Sequence, residues 1–196
     1  MENSKRSFSW IQTGGVILIL LLASEVVLLT IQNRQLKKSL DQTTIGYQTD
    51  PLKPGERVEP VKIQLLDGTT KELSYQDPSR KYLLFVLSTT CPHCAKMLPV
   101  WKLIATHKAE NCTVLGLCLH DLDQTTKFIA ANNVGFYTAS VAQDTSFGRK
   151  YKIGGIPETI LIRGNGTVEK AWVGELTTNQ ADEISGLIST STLSLN

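Results

Sequence analysis

The chain has 196 residues, 41% of them hydrophobic and 19% charged, enough for one core domain with appendages. A net charge of +2 gives no reason to expect nucleic acid as a partner. Four cysteines are too few to staple a chain of this length, so they read as one working pair, Cys91 and Cys94, and two bystanders, Cys112 and Cys118.

The first element is apolar. Gly14 to Ile31, GGVILILLLASEVVLLTI, carries a single charge, Glu25. Extended back through Trp10 and Ile11 it reaches the ~20 residues that a bilayer core requires. Lys5 and Arg6 precede it, yet no small-x-small pair stands around Ala23 and Ser24 and the apolar run continues beyond them. The expectation is an uncleaved signal anchor. Arg34, Lys37 and Lys38 follow the span, so basic residues do not set its orientation, and the thiol chemistry described below decides it: protein disulfides persist on the non-cytoplasmic side. Glu25 has two open readings, a contact with another membrane protein or a carboxylate hydrated near the far interface. The chain thus divides into a cytoplasmic N-terminus over residues 1–9, a transmembrane signal anchor over 10–31, a polar tether over 32–57 holding Pro51, Pro54 and Gly55, a folded domain over 58–189 and a disordered tail over 190–196.

Within the domain, Val61 to Leu66 and Lys71 to Ser74 flank Asp67-Gly68, a hairpin signal. Lys81 to Ser88, KYLLFVLS, has the length and content of a buried strand. A helix follows from Pro92 to about Thr106, with Met97, Leu98, Trp101 and Ile104 as its apolar face and Pro99 expected to kink it. Thr113 to Leu119 reads as a second buried strand, and Asp123 as the cap of a helix carrying Phe128 and Ile129. A short strand near Ala139 to Ala142 and a helical turn from Ser146 to Tyr151 come next. Thr159 to Arg163 and Thr167 to Val173 bracket Gly164, Asn165 and Gly166 as a second hairpin. The last helix opens at Thr177 with Gln180 as its capping-box partner and presents Ala181, Ile184, Leu187 and Ile188 on one face. Alternating strands and helices imply an α/β domain with a parallel sheet covered by helices.

The chemistry sits at Cys91-Pro92-His93-Cys94, between a buried strand and a helix. Proline is favoured at the first helical position, which makes Pro92 the N1 residue and Cys91 the N-cap. The Cys91 sulfur then faces the free N–H groups of His93 and Cys94 and the positive end of the helix dipole, which favour a thiolate. Cys94 lies on the same helical face, so it can attack a mixed disulfide formed on Cys91. Cys91 is the expected nucleophile and Cys94 the resolving thiol. A protonated His93 adds positive charge beside Cys91 and makes the disulfide more oxidising, so His93 and Pro92 are the expected tuning residues. Half of a zinc site is the competing reading of C-x-x-C, but no second Cys/His pair stands at ligand spacing, and no metal or cofactor is expected. Cys112 and Cys118 on one strand would lie about 20 Å apart at ~3.3 Å per residue, too far to bridge.

FVLSTTCPHCAKMLPVW and GGIPETILIRGNGTV, with the N-terminal anchor, resemble the membrane-anchored thioredoxin-fold thiol-disulfide oxidoreductases of the TlpA/ResA type, in particular MauD-like members. The resemblance covers roughly Pro60 to Ile188. It implies a thioredoxin-like fold with an N-terminal β-hairpin extension, preceded by a single transmembrane helix. It implies that Ile156-Pro157 is a cis-proline loop facing the cysteines and binding extended substrate. It also implies exchange with exported protein thiols or disulfides, as in maturation of cytochromes, copper proteins or a periplasmic dehydrogenase, with a membrane protein as electron donor and no cofactor.

The departures from that family concern protons. Thr90 stands where the family often has Trp, Phe85 where thioredoxins have a buried Asp, and Met97 where ResA-like members often have Glu. Glu158, next to Pro157, is the remaining candidate for proton transfer, with a surface or loop-bonding role as its other reading. An alternative from a different class is a copper-binding assembly factor using the same cysteines, Cys91 and Cys94, with Met97 or His120 as a further ligand, since soft sulfur ligands suit Cu(I). A peroxidase reading lacks the Pro and Thr placement that peroxiredoxins have before the reactive cysteine.

Overall fold

The structure, a computed structural model, describes residues 4–43 and 50–189, with side chains for 13–34 and 50–189. The chain splits into two units, Met1–Ile45 and Gly46–Asn196. The tail read at 190–196 lies outside the described residues, as do residues 44–49 of the tether.

The first unit is one helix, α1 (Ser4–Thr43), so helix continues well into the residues read as tether. Its stretch Thr13–Arg34 has a mean hydropathy of 2.5 and is long and apolar enough to cross a membrane. The large apolar side chains from Val16 to Leu22 and from Val26 to Leu29 are exposed all round. The hydroxyls of Ser24 and Thr30 donate to the carbonyls of Leu21 and Val26, which satisfies both within the helix.

The second unit is built on a seven-stranded sheet of order β2-β1-β5-β4-β3-β6-β7. Its strands are β1 (Val61–Gln64), β2 (Thr70–Leu73), β3 (Lys81–Leu87), β4 (Cys112–Cys118), β5 (Thr138–Ser140), β6 (Glu158–Arg163) and β7 (Val168–Val173). Four helices accompany them: α2 (Pro92–Thr106), α3 (Leu122–Asn132), the short α4 (Phe147–Lys150) and α5 (Thr178–Ser189). Only the β3–β4 and β4–β5 pairings are parallel. The hairpins β1–β2 and β6–β7 pair antiparallel, as do β3–β6 and β1–β5, so the sheet is mixed where alternation alone implied a parallel one. This is the thioredoxin-like arrangement with the hairpin β1–β2 added at one edge.

β3 reads as an unbroken apolar run because both of its faces are covered. Leu83, Phe85 and Leu87 pack with Met97, Leu98, Trp101 and Ile104 of α2 and with Ile184 and Ile188 of α5. Leu84 and Val86, pointing the other way along the strand, are fully buried too. Pro99 is accommodated inside α2, which runs unbroken to Thr106. The cap of α3 is Asp121, whose Oδ1 accepts from Gln124 N–H at 2.9 Å; Asp123, expected in that role, lies within the first turn and pairs with Lys127. The capping box of α5 is reciprocal, with Thr177 N–H on Gln180 Oε1 at 2.9 Å and Gln180 N–H on Thr177 Oγ1 at 3.3 Å.

The end of the expected tether belongs to the sheet edge. Leu52 is buried, Gly55 N–H donates to Val168 O, Val168 N–H to Glu56 O, and Arg57 bridges Thr167. The edge of β7 is thereby covered, which removes a row of unpaired backbone groups.

Candidate active site

The C-terminal ends of β3 and β4, the first turn of α2 and the loop before β6 supply the groups of the site. β3 ends at Leu87, Ser88 to Thr90 turn the chain, and Cys91 caps α2 with φ −88° and ψ 111°. Its Sγ accepts the Cys94 N–H at 3.2 Å, the N-cap arrangement expected for a side-chain acceptor followed by proline. Cys91 is half-buried, whereas Cys94 has no exposed surface. Burial pushes the Cys94 thiol far above its ordinary value, and the neighbouring Cys91 sulfur adds to the rise. Solvent therefore reaches the first sulfur and not the second.

Across from Cys91 runs the segment Gly154 to Pro157. The Ile156-Pro157 peptide is cis, and Cys91 Sγ lies 3.8 Å from Ile156 O in donating geometry. Pro157 O accepts from Gly174 N–H at 2.7 Å, which ties the loop to the end of β7. Val173, just before, is 46% exposed, so an apolar side chain borders the loop on its solvent side.

Glu158 begins β6 and is fully buried. Burial pushes its carboxyl up to about 7, against the pull of the Gly154 and Gly155 N–H groups. Oε2 accepts from Gly154 N–H at 3.0 Å, while Oε1 has no partner among the described residues. Register explains where it points. Thr159 pairs with Phe85 and Glu158 with Val86, and Thr159 Oγ1 accepts from Trp101 Nε1 of α2 at 3.1 Å. Glu158 therefore faces the side of the sheet away from α2, and neither of its oxygens bonds a cysteine.

Phe85 and Met97, where the resemblance led to an expectation of acids, are apolar and packed. Phe85 stacks on Trp101 at 4.8 Å between centroids and 14° between planes, with Phe136 edge-on at 5.1 Å. Met97 is buried in the same cluster. His93 and Pro92 are both exposed. His93 Nδ1 meets Glu175 Oε1 at 2.5 Å, with Lys96 Nζ at 3.6 Å from the same oxygen. Hydrogen bonding from His93 holds the Glu175 carboxyl below its usual range.

Two of the contacts around the site were not visible in the sequence. Glu175 lies 82 residues from His93, in the loop between β7 and α5, with no motif to mark it. His120, just past β4, accepts the Thr89 N–H on Nδ1 at 3.1 Å and meets Thr89 Oγ1 at 2.6 Å. Cys112 and Cys118 are buried in β4. Among the described residues no group of three or more His, Cys, Asp or Glu side chains is placed to hold a metal ion.

The family model of Redoxin matches residues 53–187, starting where Leu52 and Gly55 join the sheet. The chain belongs to the Redoxin family. No curated protein matches it in sequence. The Redoxin domain has the fold of solved thioredoxin-like oxidoreductases. A putative thiol:disulfide interchange protein DsbE from Chlorobium tepidum aligns with TM-score 0.59 and 23% identity, over 70% of this chain and 98% of its own. StoA from Bacillus subtilis aligns with TM-score 0.54 and 20% identity, over 65% and 95%. A peroxiredoxin-like protein from Aquifex aeolicus reaches TM-score 0.57 at 16% identity, over 71% and 90%, so the fold alone does not separate exchange from peroxide chemistry.

Proposed function

We propose that this Redoxin-family protein is a membrane-tethered thiol-disulfide oxidoreductase that exchanges disulfides with exported client proteins through Cys91 and Cys94. The observation that carries the reading is the half-buried N-cap sulfur of Cys91, bonded by Cys94 N–H and set 3.8 Å from the carbonyl of Ile156 in a cis-proline loop, above a fully buried Cys94. The Cys91 thiolate attacks one sulfur of a client disulfide; that S–S bond breaks and the other client sulfur leaves as a thiolate. The Cys94 sulfur, having lost its proton, then attacks Cys91, forming the Cys91–Cys94 disulfide and releasing the reduced client. Run backwards, the same steps oxidise a client dithiol. The backbone of Ile156 beside Pro157 binds an extended client segment during both steps. His93 and Pro92 tune the first thiol.

The proton from Cys94 has no carboxylate in contact, because Phe85 and Met97 are apolar. Glu158, the candidate for that step, is fully buried on the face of the sheet away from α2 and bonds Gly154 N–H, so its role in this reading is to hold the Gly154–Pro157 loop. The α1 stretch Thr13–Arg34 supports a single-pass anchor, with the Redoxin domain on the extracytoplasmic side and an electron-donor protein in the same membrane. The clients in this reading are maturing cytochromes, copper proteins or a periplasmic dehydrogenase.

Trapping tests the reading. Cys94→Ser leaves the mixed disulfide on Cys91 unresolved, so non-reducing gels of membranes from intact cells should show the chain bound covalently to specific exported proteins. Recovery of no such adduct, with Cys91 free to alkylate, overturns it. An alkaline phosphatase fused to the C-terminus should be active, and an inactive fusion overturns the orientation.

A further inference from the structure

β3 and β4 are parallel neighbours, in register with Leu87 opposite Cys118. Carried two residues past the strand ends, that register sets Thr89 opposite His120. The backbone of His120 is fixed from two sides, with Ser140 Oγ of β5 and Thr125 Oγ1 of α3 both donating to its carbonyl. Its ring is thereby aimed at the turn that leads into the reactive helix. Thr89 N–H is a donor in every protonation state, so the ring nitrogen that receives it at 3.1 Å must carry a lone pair. The imidazole is therefore neutral, with its proton on Nε2, and Thr89 Oγ1 lies 2.6 Å from the same Nδ1.

We propose that His120 is the positioning residue for the nucleophile: its imidazole holds Thr89 and so fixes the Ser88–Cys91 turn that presents Cys91 Sγ to the client and to Ile156 O. The role rests on Cys91 being the attacking thiol. Within the turn, Thr90 N–H bonds Ser88 Oγ and Cys91 N–H bonds Ser88 O, both at 3.3 Å, and the backbones of Ser88 and Thr89 also bond the sulfurs of Cys94 and Cys118. Of these contacts, His120 is the one made by a side chain that can lose its acceptor on protonation.

Protonation would put a hydrogen on Nδ1 against the Thr89 N–H, two donors facing each other, and release the turn. Burial already holds the His120 pKa below its ordinary 6.5, opposed by the charge of Asp121, the next residue. Among the described residues Asp121 is the one charged group that acts on the ring. The other elements packed there present uncharged groups: Thr89 from the β3 turn, Ser140 from β5, Thr125 from α3, and on β4 the Cys118 thiol, which burial keeps protonated. Because the folded value is depressed, the contact is intact at neutral pH and is lost only as pH falls through that lowered value. The site is thus built to lose its nucleophile's alignment in acid.

Two measurements test this on the full chain. In ¹⁵N spectra at neutral pH, His120 should show an unprotonated Nδ1 and a protonated Nε2; the opposite tautomer, or a doubly protonated ring, overturns the proposal even if every variant fails to fold. The second is the rate at which the reduced protein reduces glutathione disulfide between about pH 5 and 8. His120→Ala should be about ten-fold slower at neutral pH, the equivalent of one lost backbone hydrogen bond in an aligned site. His120→Gln, which can accept the Thr89 N–H without titrating, should restore most of the neutral-pH rate. The ratio of the wild-type to the His120→Gln rate should stay flat near neutrality and fall in acid. Wild-type exchange together with an unchanged rate and pH profile in His120→Ala would sink the positioning role alone. A wild type that exchanges no disulfide would sink the nucleophile reading first and this role with it.

Discussion

Cys112 and Cys118 stand at the two ends of β4 with at most 1% of their surface exposed, and burial pushes the Cys112 thiol up to about 11. Cys91 and Cys94 stand one strand over, at the start of α2, where Cys91 keeps solvent access and receives a backbone N–H on its sulfur. The four side chains are chemically the same, and the sheet interior makes two of them small apolar residues while a helix N-terminus makes one of them a candidate nucleophile. Cys118 also stands at a strand end, so what sets the candidate nucleophile apart is the helix N-terminus, where backbone donors are unpaired and solvent enters. Cys94 shows both influences, since it lies on the same helix as the candidate nucleophile's cap position yet is buried like the β4 pair.

The largest expected effect would break that comparison directly. Cys91→Ser should abolish exchange, whereas Cys112→Ser and Cys118→Ser should keep exchange rates within a few-fold of wild type. At neutral pH, iodoacetamide should label Cys91 in the native reduced chain and the β4 pair only after unfolding. Native labelling of Cys112 or Cys118, or loss of exchange on replacing either, would erase the distinction.

Glu158 extends the same rule of burial to a carboxyl beside the site. Its folded pKa of about 7 stands above the ordinary 4.5, so between those values the folded protein holds a proton that the unfolded chain has released. Stability must then fall as pH rises through that window, and the full cost, ~3 kcal/mol at ~1.4 kcal/mol per pH unit, is present above it. Glu158→Gln escapes that cost. Urea unfolding of the full chain in detergent should show the variant gaining on the wild type from pH 4.5 to above pH 7, and a gap that does not change with pH would show that the carboxyl is not shifted by burial.

The smallest effect sharpens the description of the wall around Cys94. Thr159→Val removes the acceptor of the buried Trp101 N–H and should cost about 1–3 kcal/mol, read as a lower urea midpoint. The loss should leave Cys91 labelling unchanged, because the indole packs on Phe85 behind the buried thiol rather than on the exposed one. A faster or slower Cys91 would mean that the aromatic wall reaches the nucleophile.

Much of the fold was legible because its signals are local. The unbroken apolar run of β3, proline after the N-cap cysteine, the Thr177–Gln180 box and the Asp67-Gly68 turn each act within a few residues, and each element formed close to its expected bounds. Asp121 replaced Asp123 as the cap of α3 because β4 ends at Cys118 and the chain turns at once; two acids two residues apart offer the same local signal. Leu52 and Gly55 looked like tether because Pro51, Pro54 and Gly55 mark irregular chain, and irregular chain can still pair with a sheet edge.

The sequence by itself determined where the candidate pair stands, Cys91 as cap and Cys94 one turn on, since a helix N-terminus is specified by the residues that form it. Tertiary structure alone decided what surrounds them. Ile156 reaches Cys91 across 65 residues and Glu175 reaches His93 across 82. His120 meets Thr89 only because β3 and β4 align Leu87 with Cys118. Glu158 faces away from the cysteines because its neighbour Thr159 is the residue turned toward Trp101. Register and strand order are properties of the whole sheet, and a shift of one residue would have exchanged every one of these neighbours.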